Sequence, residues 1–278
     1  MKRSVLFFFL GVFIFFGEIP NMQSQTVDDD IFTKENIPGK KPLDYVSIRE
    51  ADIMWSKKLW QMIDCRKRQN QVLYFPVDEM EDRKSLIQVI MHGIKNEGLT
   101  AYRNDQFKEI MTQDEVFQEM GAGERTEEIQ MPDGTTKDTV IAQGVRYDEI
   151  KKFMIREQWI FDRKYSDLRV RVVGICPIRE YIDDDTGEKR KSQPFWIYYP
   201  EARDLLANWE IFNRRNDAQR ISYEDWFHQR RFNSYVVRET NVYGNRLIDE
   251  YTTGMNALLE ARKIRNDIFE FEHDLWEY

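Results

Sequence analysis

Between Ile48 and Met62 the apolar side chains recur as they would along a helix. On a wheel advancing about 100° per residue, Ile48, Ala51, Trp55, Leu59 and Met62 share one stripe, while Ile53 and Trp60 fall opposite, beside Lys57 and Asp64. The spacing predicts an amphipathic helix over Arg49 to Cys65 with one apolar pair to spare. Such a pair is either covered by a second layer of the same domain or pressed against another chain, where large aromatics in a charged surround act as anchors.

Further along, NQVLYFPV (70–77) predicts a short strand, Ser85 to Lys95 a helix, and GLTAYR (98–103) a strand. Thr112 and Glu115 form a capping-box signature for a helix closed by Gly121. Glu128 to Ala142 predicts a hairpin turned by Asp133-Gly134, and Arg146 to Ile155 a helix. From Trp159 to Ile182 the pattern is β: Val170, Val172, Gly174 and Cys176 alternate with Arg169, Arg171, Val173 and Ile175. DDDTGEK (183–189) turns the chain toward the strand FWIYY (195–199), and Pro200 opens a helix. Ser222 and Asp225 cap another, and SYVVRE (234–239) predicts a strand. From Arg246 a long helix places Leu247, Tyr251, Gly254, Leu258, Ala261 and Ile268 at three- and four-residue steps. Neither a repeat nor a linker interrupts the pattern. The fold class is α+β, with antiparallel hairpins, several amphipathic helices and a long C-terminal helix.

The two ends differ from this body. Lys2 and Arg3 precede a continuous apolar run, Val5 to Phe16, which is too short for a comfortable membrane span and reads as a secretory signal cut near Ser24–Gln25. The division expected is therefore a signal over 1–24, an extended arm over 25–43 and one α+β domain over 44–278. The first cysteine is Cys65, so none follows the apolar run to carry a lipid. The arm, with Asp28 to Asp30, Pro38, Gly39 and Pro42, either stays disordered or lies across a neighbouring subunit. The tail FEFEHDLWEY (269–278) interleaves aromatics with carboxylates, and either folds back on its own domain or docks on another chain.

Charge and candidate chemistry narrow the function. Losing residues 1–24 would move the net charge from −8 to −9, and an acidic chain with scattered cations is no nucleic-acid binder. Cys65 and Cys176, the only cysteines, could close one disulfide after export, although spacing alone does not bring them together. His92, His228 and His273 stand far apart, outside any metal-ligand spacing. No nucleophile elbow, phosphate loop or dinucleotide fingerprint occurs. Asp183 to Gly187 lacks the ligand set of a calcium loop and reads as a turn. Neither a cofactor nor an enzymatic activity is expected. The C-terminal third instead mixes aromatics with arginines, a composition enriched at protein interfaces. The residues singled out as partner contacts are Ile53, Trp60, Tyr199, Arg203, Trp226, Arg231, Phe232 and Trp276. The alternatives are an exported enzyme, or a carbohydrate-binding module using Trp196, Tyr198 and Tyr199, although strand alternation splits those three between two faces.

Several ordered blocks carry a family resemblance: READIMWSKKLWQMIDCRKRQNQVLYFP, WIFDRKYSDLRVRVVGICPI, FWIYYPEARDLLAN, RRFNSYVVRETNVYGN and IFEFEHDLWEY. Together they resemble the GldN/PorN family of gliding-motility and type IX secretion proteins. The resemblance implies a non-enzymatic periplasmic component without direct membrane insertion. It also implies association with an outer-membrane lipoprotein of the GldK/PorK type, self-association with it in a large ring, and contact with the periplasmic part of a GldM/PorM-type motor protein. The family has no catalytic motif to carry over.

Overall fold

A computed structural model describes residues 39–275, apart from 81–82, 131–135, 184–185, 215 and 217, all within the compact unit Asn36–Tyr278. The expected signal, most of the arm, the Asp133-Gly134 turn and Trp276 lie outside the described residues. In chain order the strands are β1 (Ile53–Asp64), β2 (Ala101–Tyr102), β3 (Ile110–Met111), β4 (Gly123–Gln130), β5 (Thr136–Gln143), β6 (Ile150–Asp162), β7 (Asp167–Ile182), β8 (Lys189–Ser192), β9 (Trp196–Tyr198), β10 (Glu210–Ile211), β11 (Ile221–Ser222) and β12 (Ser234–Glu239). The helices are α1 (Gln71–Tyr74), α2 (Leu86–Asn96), α3 (Gln113–Glu119), α4 (Tyr199–Asn208), α5 (Tyr223–His228), α6 (Ile248–Tyr251) and α7 (Met255–Asp274). The main sheet is antiparallel, in the order β12-β1-β6-β7-β9-β2-β3, with β8 paired to β7. The class is α+β as expected, with the long helix at its C-terminal end.

The stretch expected as the first helix is instead β1, paired to β6 on one side and β12 on the other. Residues 55, 57, 59, 61 and 63 face one side of the sheet and 56, 58, 60 and 62 the other. Trp55, Leu59 and Ile63 therefore belong to one layer, and Trp60 and Met62 to the opposite one. Because each face carries a core of its own, neither set of alternating positions is uniformly polar. The usual half-buried strand signature is lost, and a helical stripe can be drawn through what remains. Arg146 to Ile155 fails as a helix for the same reason. After a single 3-10 turn at Tyr147–Glu149 it becomes β6, in which the consecutive Phe153, Met154 and Ile155 are all buried. NQVLYFPV holds one helical turn, α1, rather than a strand.

Local chemistry decided the elements that were read correctly. The Thr112 N–H donates to Glu115 Oε2 at 2.8 Å, and the Glu115 N–H returns to Thr112 Oγ1 at 3.4 Å, closing the capping box of α3. Ser222 and Asp225 do the same for α5, with both bonds at 3.2 Å. The long C-terminal helix is broken at Gly254, whose φ of +61° suits glycine, so α6 ends before α7 begins. The buried stripe of α7 is Ala257, Ala261, Ile264 and Ile268, and Leu258 points outward at 57% exposure.

Three cores result. On one face of the sheet, α2, α4 and α5 cover Ile63, Phe153, Ile155 and Ile175. Beside them α7 covers Leu59, Val236 and the half-buried Trp55 and Trp159. The start of the aromatic tail folds back here: Phe271 stacks on Trp55 with ring centroids 4.8 Å apart, and meets Phe161 edge-on at 6.3 Å. The opposite face holds Trp60, Met154, Cys176, Ile178 and Trp196, with Phe107 against them. A Cβ on Gly174 would stand 2.5 Å from Phe107 Cζ, so this glycine in mid-strand lets the ring lie on the backbone.

The same alternation separates the two cysteines that could have closed a disulfide. Cys65 packs in the first core and Cys176 in the opposite-face core, and both are free thiols. Burial, together with Asp64, pushes the Cys65 thiol up to about 12, and burial also raises Cys176 well above its ordinary value. Neither thiolate forms near neutrality, so a thiol reagent at pH 8 should titrate no cysteine in the folded chain and both in denaturant. A native chain whose mobility on a gel changes with reductant would contradict this.

Candidate interaction surface

The residues expected to meet partners can now be placed one by one. Trp60 is 4% exposed, and its ring lies beneath the Arg238 guanidinium at 3.8 Å. Its indole N–H donates to Asp105 Oδ2 at 3.0 Å, and Arg238 donates to the same carboxylate. Arg156 stacks more loosely over the ring at 5.7 Å and donates to the Asp105 carbonyl. The loop between β2 and β3 is thereby clamped onto the sheet. Trp60 is an internal anchor, not the spare face of a helix.

The aromatics of α5 are likewise internal. Trp226, Phe227 and Phe232 pack mutually with centroids 5.4–5.9 Å apart, and Tyr199 meets Phe227 edge-on at 5.8 Å. Tyr199, Trp226 and Phe232 are all buried, and so is Trp196, which removes the aromatic platform of a carbohydrate-binding module. Of the contacts expected from the sequence, Arg231 is exposed and Ile53 half-buried at the start of β1. Trp276 lies outside the described residues.

Arg203 is also turned inward. It holds Glu224, which is 1% exposed, through Nη2 at 2.7 Å. The other side of its guanidinium lies 3.9 Å from the Tyr45 ring and donates to the Leu43 carbonyl. Tyr45 is covered further by Arg171 at 4.9 Å and stacks on His228 at 6.4 Å. Burial, partly offset by Arg203, raises the Tyr45 hydroxyl above its ordinary value. Lys40 pairs with Asp225, and the Gly39 N–H donates to Asn208 Oδ1 at 3.1 Å. The last residues of the arm are therefore latched to α4 and α5 of their own chain. Tyr45, the centre of this latch, is not legible in the sequence, because one aromatic in a polar stretch has no periodic signal.

What stays uncovered is the outer side of α7. Met255, Leu258 and Leu259 stand at helical spacings of three and four and therefore share a face, each more than half exposed, with Phe269 at 64% further along. Re-phasing the C-terminal helix by one position would have shown this second apolar set. A cleft of about 250 Å³ beside α7 is lined by Leu59, Trp159, Val236, Ile268, Arg230 and Arg265. Among the described residues, no group of three or more His, Cys, Asp or Glu side chains is placed to hold a metal ion.

The burial of the Arg203–Glu224 pair fixes the sign of a mutational test. Arg203→Ala should lower stability in urea by about 3–5 kcal/mol, because Glu224 is left buried without its cation. Arg231→Ala, on an exposed side chain, should change it by less than about 0.5 kcal/mol. Equal effects would show that Arg203 is not the inward-facing residue of the two.

Comparison with known proteins agrees with the blocks quoted from the sequence. The family model described as gliding motility associated protein GldN matches residues 48–277, from just before β1 to beyond α7. No curated protein matches the chain. Among the described residues no helix is long and apolar enough to cross a membrane. With the match spanning the sheet, all three cores and the C-terminal helix, the chain belongs to the GldN family, associated with gliding motility and type IX secretion.

Proposed function

We propose that the chain is a non-enzymatic structural subunit of the type IX secretion and gliding machinery, exported to the periplasm by a cleaved signal. Membership of the GldN family over residues 48–277 carries this reading. In it the subunit is held at the outer membrane by a lipoprotein of the GldK/PorK type, forms a large ring with it, and meets the periplasmic part of a GldM/PorM-type motor protein. The outer face of α7, with Met255, Leu258, Leu259 and Phe269, supplies the apolar contact, and the exposed Arg231 and the half-buried Ile53 remain the other candidate contacts. The aromatics and arginines buried inside the monomer support the fold that presents this face.

Size-exclusion chromatography with light scattering, with and without the lipoprotein, tests the proposal. The processed chain plus lipoprotein should elute as a large complex. Leu258→Asp with Leu259→Asp should abolish that complex while leaving the urea midpoint nearly unchanged, since exposed substitutions cost about 0.5 kcal/mol or less each. A processed chain that stays monomeric beside the lipoprotein would contradict the reading.

A further inference from the structure

Two surfaces of opposite charge lie at opposite ends of the β1–β6 pair. At the end where Asp64 pairs with Lys152, three clefts adjoin beside α1. The first, about 330 Å³, is lined by Phe75, Met80, Arg83 and Phe212. The second, about 510 Å³, shares Phe75 with it and adds Arg66, Lys151 and Lys189. The third, about 520 Å³, shares those three cations and adds Lys152, Arg190 and Lys191. Together they make one groove. Its first end is apolar and open, with Phe75, Met80 and Phe212 each more than 40% exposed. At its cationic end Arg66, Lys152 and Arg190 are paired with Asp64, Glu180 and Asp183. Lys151, Lys189 and Lys191 are exposed and make no ion pair with a described residue. Like charges lining one cleft repel one another unless an anion lies among them.

At the other end, where Trp55 pairs with Phe161, the last turns of α7 rest on the sheet through Phe271. From Asp267 to Asp274 the helix carries four carboxylates and neither Lys nor Arg. That arrangement works against the helix itself. Its C-terminal carbonyls already carry partial negative charge, and Asp267, Glu270 and Asp274 follow one another at like-charge spacings of three and four. All three are exposed and make no ion pair with a described residue. On the outward half of the helix Phe269, 64% exposed, stands on one flank and Glu270 with Asp274 on the other. A groove crossing the helix there would meet a ring at one end and carboxylates at the other.

We infer that the groove seats the acidic end of α7 from a second copy of the chain. The two surfaces match part for part: Phe269 suits the Phe75–Met80–Phe212 end, and Glu270 and Asp274 suit the unpaired lysines. The contact runs between copies because α7 is packed down by Ala257, Ala261, Ile264 and Ile268. Nine strand residues, about 30 Å, separate the Trp55 end from the Asp64 end, so the helix does not reach its own groove. Such a contact is head-to-tail. Each copy gives its helix end to one neighbour and its groove to another, and the series closes as a ring where the rotation between copies allows. The inference names how copies meet in the assembly proposed above and rests on that reading, although its test needs no lipoprotein.

Photo-crosslinking between labelled copies tests it. The processed chain carries p-benzoyl-phenylalanine at position 269, is mixed with isotopically heavy chain without the benzophenone, and is irradiated over a range of concentrations. The expected products join light to heavy chains, grow with concentration, and map to heavy peptides containing Phe75, Met80 or Phe212. They should fall to background when both chains carry Lys151→Glu, Lys189→Glu and Lys191→Glu. They should return when Asp267→Lys, Glu270→Lys and Asp274→Lys are added to both. Circular dichroism identifies any variant that fails to fold, and the map of links in the unaltered groove stands without the variants. Links confined to one chain, links elsewhere on the second copy, no links at any concentration, or links indifferent to charge reversal would each overturn the inference. Binding of the lipoprotein is read separately by the chromatography above, so either claim can fail alone.

Discussion

The carboxylate of Glu157 is fully buried in the middle of β6, and the arrangement around it ties the sheet to its cover. Taking a charged carboxylate out of water costs several kcal/mol unless donors replace its hydration. Here Arg230 donates from both terminal nitrogens, at 2.5 and 3.2 Å, Gln61 at 2.6 Å and the Trp159 indole at 3.0 Å. Gln61 in turn accepts from Ser234 at 2.5 Å. One buried charge therefore holds β6 to β1, β1 to β12, and the turn after α5 to all of them. Glu157 pairs in register with Leu59 of the α7 core and Val172 of the neighbouring core, so it sits where the two cores on that face meet. Arg230 reaches it from a left-handed backbone position, φ +51°, and its guanidinium covers Trp159 and Phe232 on the way.

That requirement explains why aromatics and arginines crowd the C-terminal third. Trp60 under Arg238, Tyr45 beside Arg203, and Trp159 beneath Arg230 repeat one solution, a flat cation laid on a ring while its nitrogens bond carboxylates or carbonyls. Composition of this kind occurs both at interfaces and where an interior must shield charge. The sequence does not separate the two uses, because both put the same residue types close together. The structure separates them by burial: Tyr199, Arg203, Trp226 and Phe232 are turned inward, and Arg231, one residue from Phe232, is not.

Elements governed by local chemistry were legible. Capping boxes placed α3 and α5, the hairpin of β4 and β5 was expected, and alternation marked β7, although the β stretch expected over Trp159 to Ile182 holds the end of β6 and a turn at 163–166 before β7 begins. Elements whose character depends on what covers them were not. In β1 and β6 both faces are buried at several positions, so the sequence carries no period-2 contrast. Seen through a helical wheel, Trp55, Leu59 and Met62 line up although Met62 stands on the opposite face of the sheet. Ile53, seven residues before Trp60, lies beyond a bulge at the start of β1, where the alternation is interrupted. The outward set on α7 was hidden for another reason: Gly254 breaks the helix and resets its phase, so Leu258 leaves the buried stripe in which a continuous helix would put it.

The account as a whole rests on β1 being an interior strand that is complete within one chain, with the surface for assembly lying on α7. Amide hydrogen exchange, measured on the isolated processed chain and again in its assembly, reads both halves of that claim together. The account predicts that β1 amides around Trp60 are strongly protected already in the isolated chain and do not change on assembly. New protection should appear over Met255 to Phe269. Fast exchange around Trp60 in the isolated chain, slowing only when the partner binds, would contradict it.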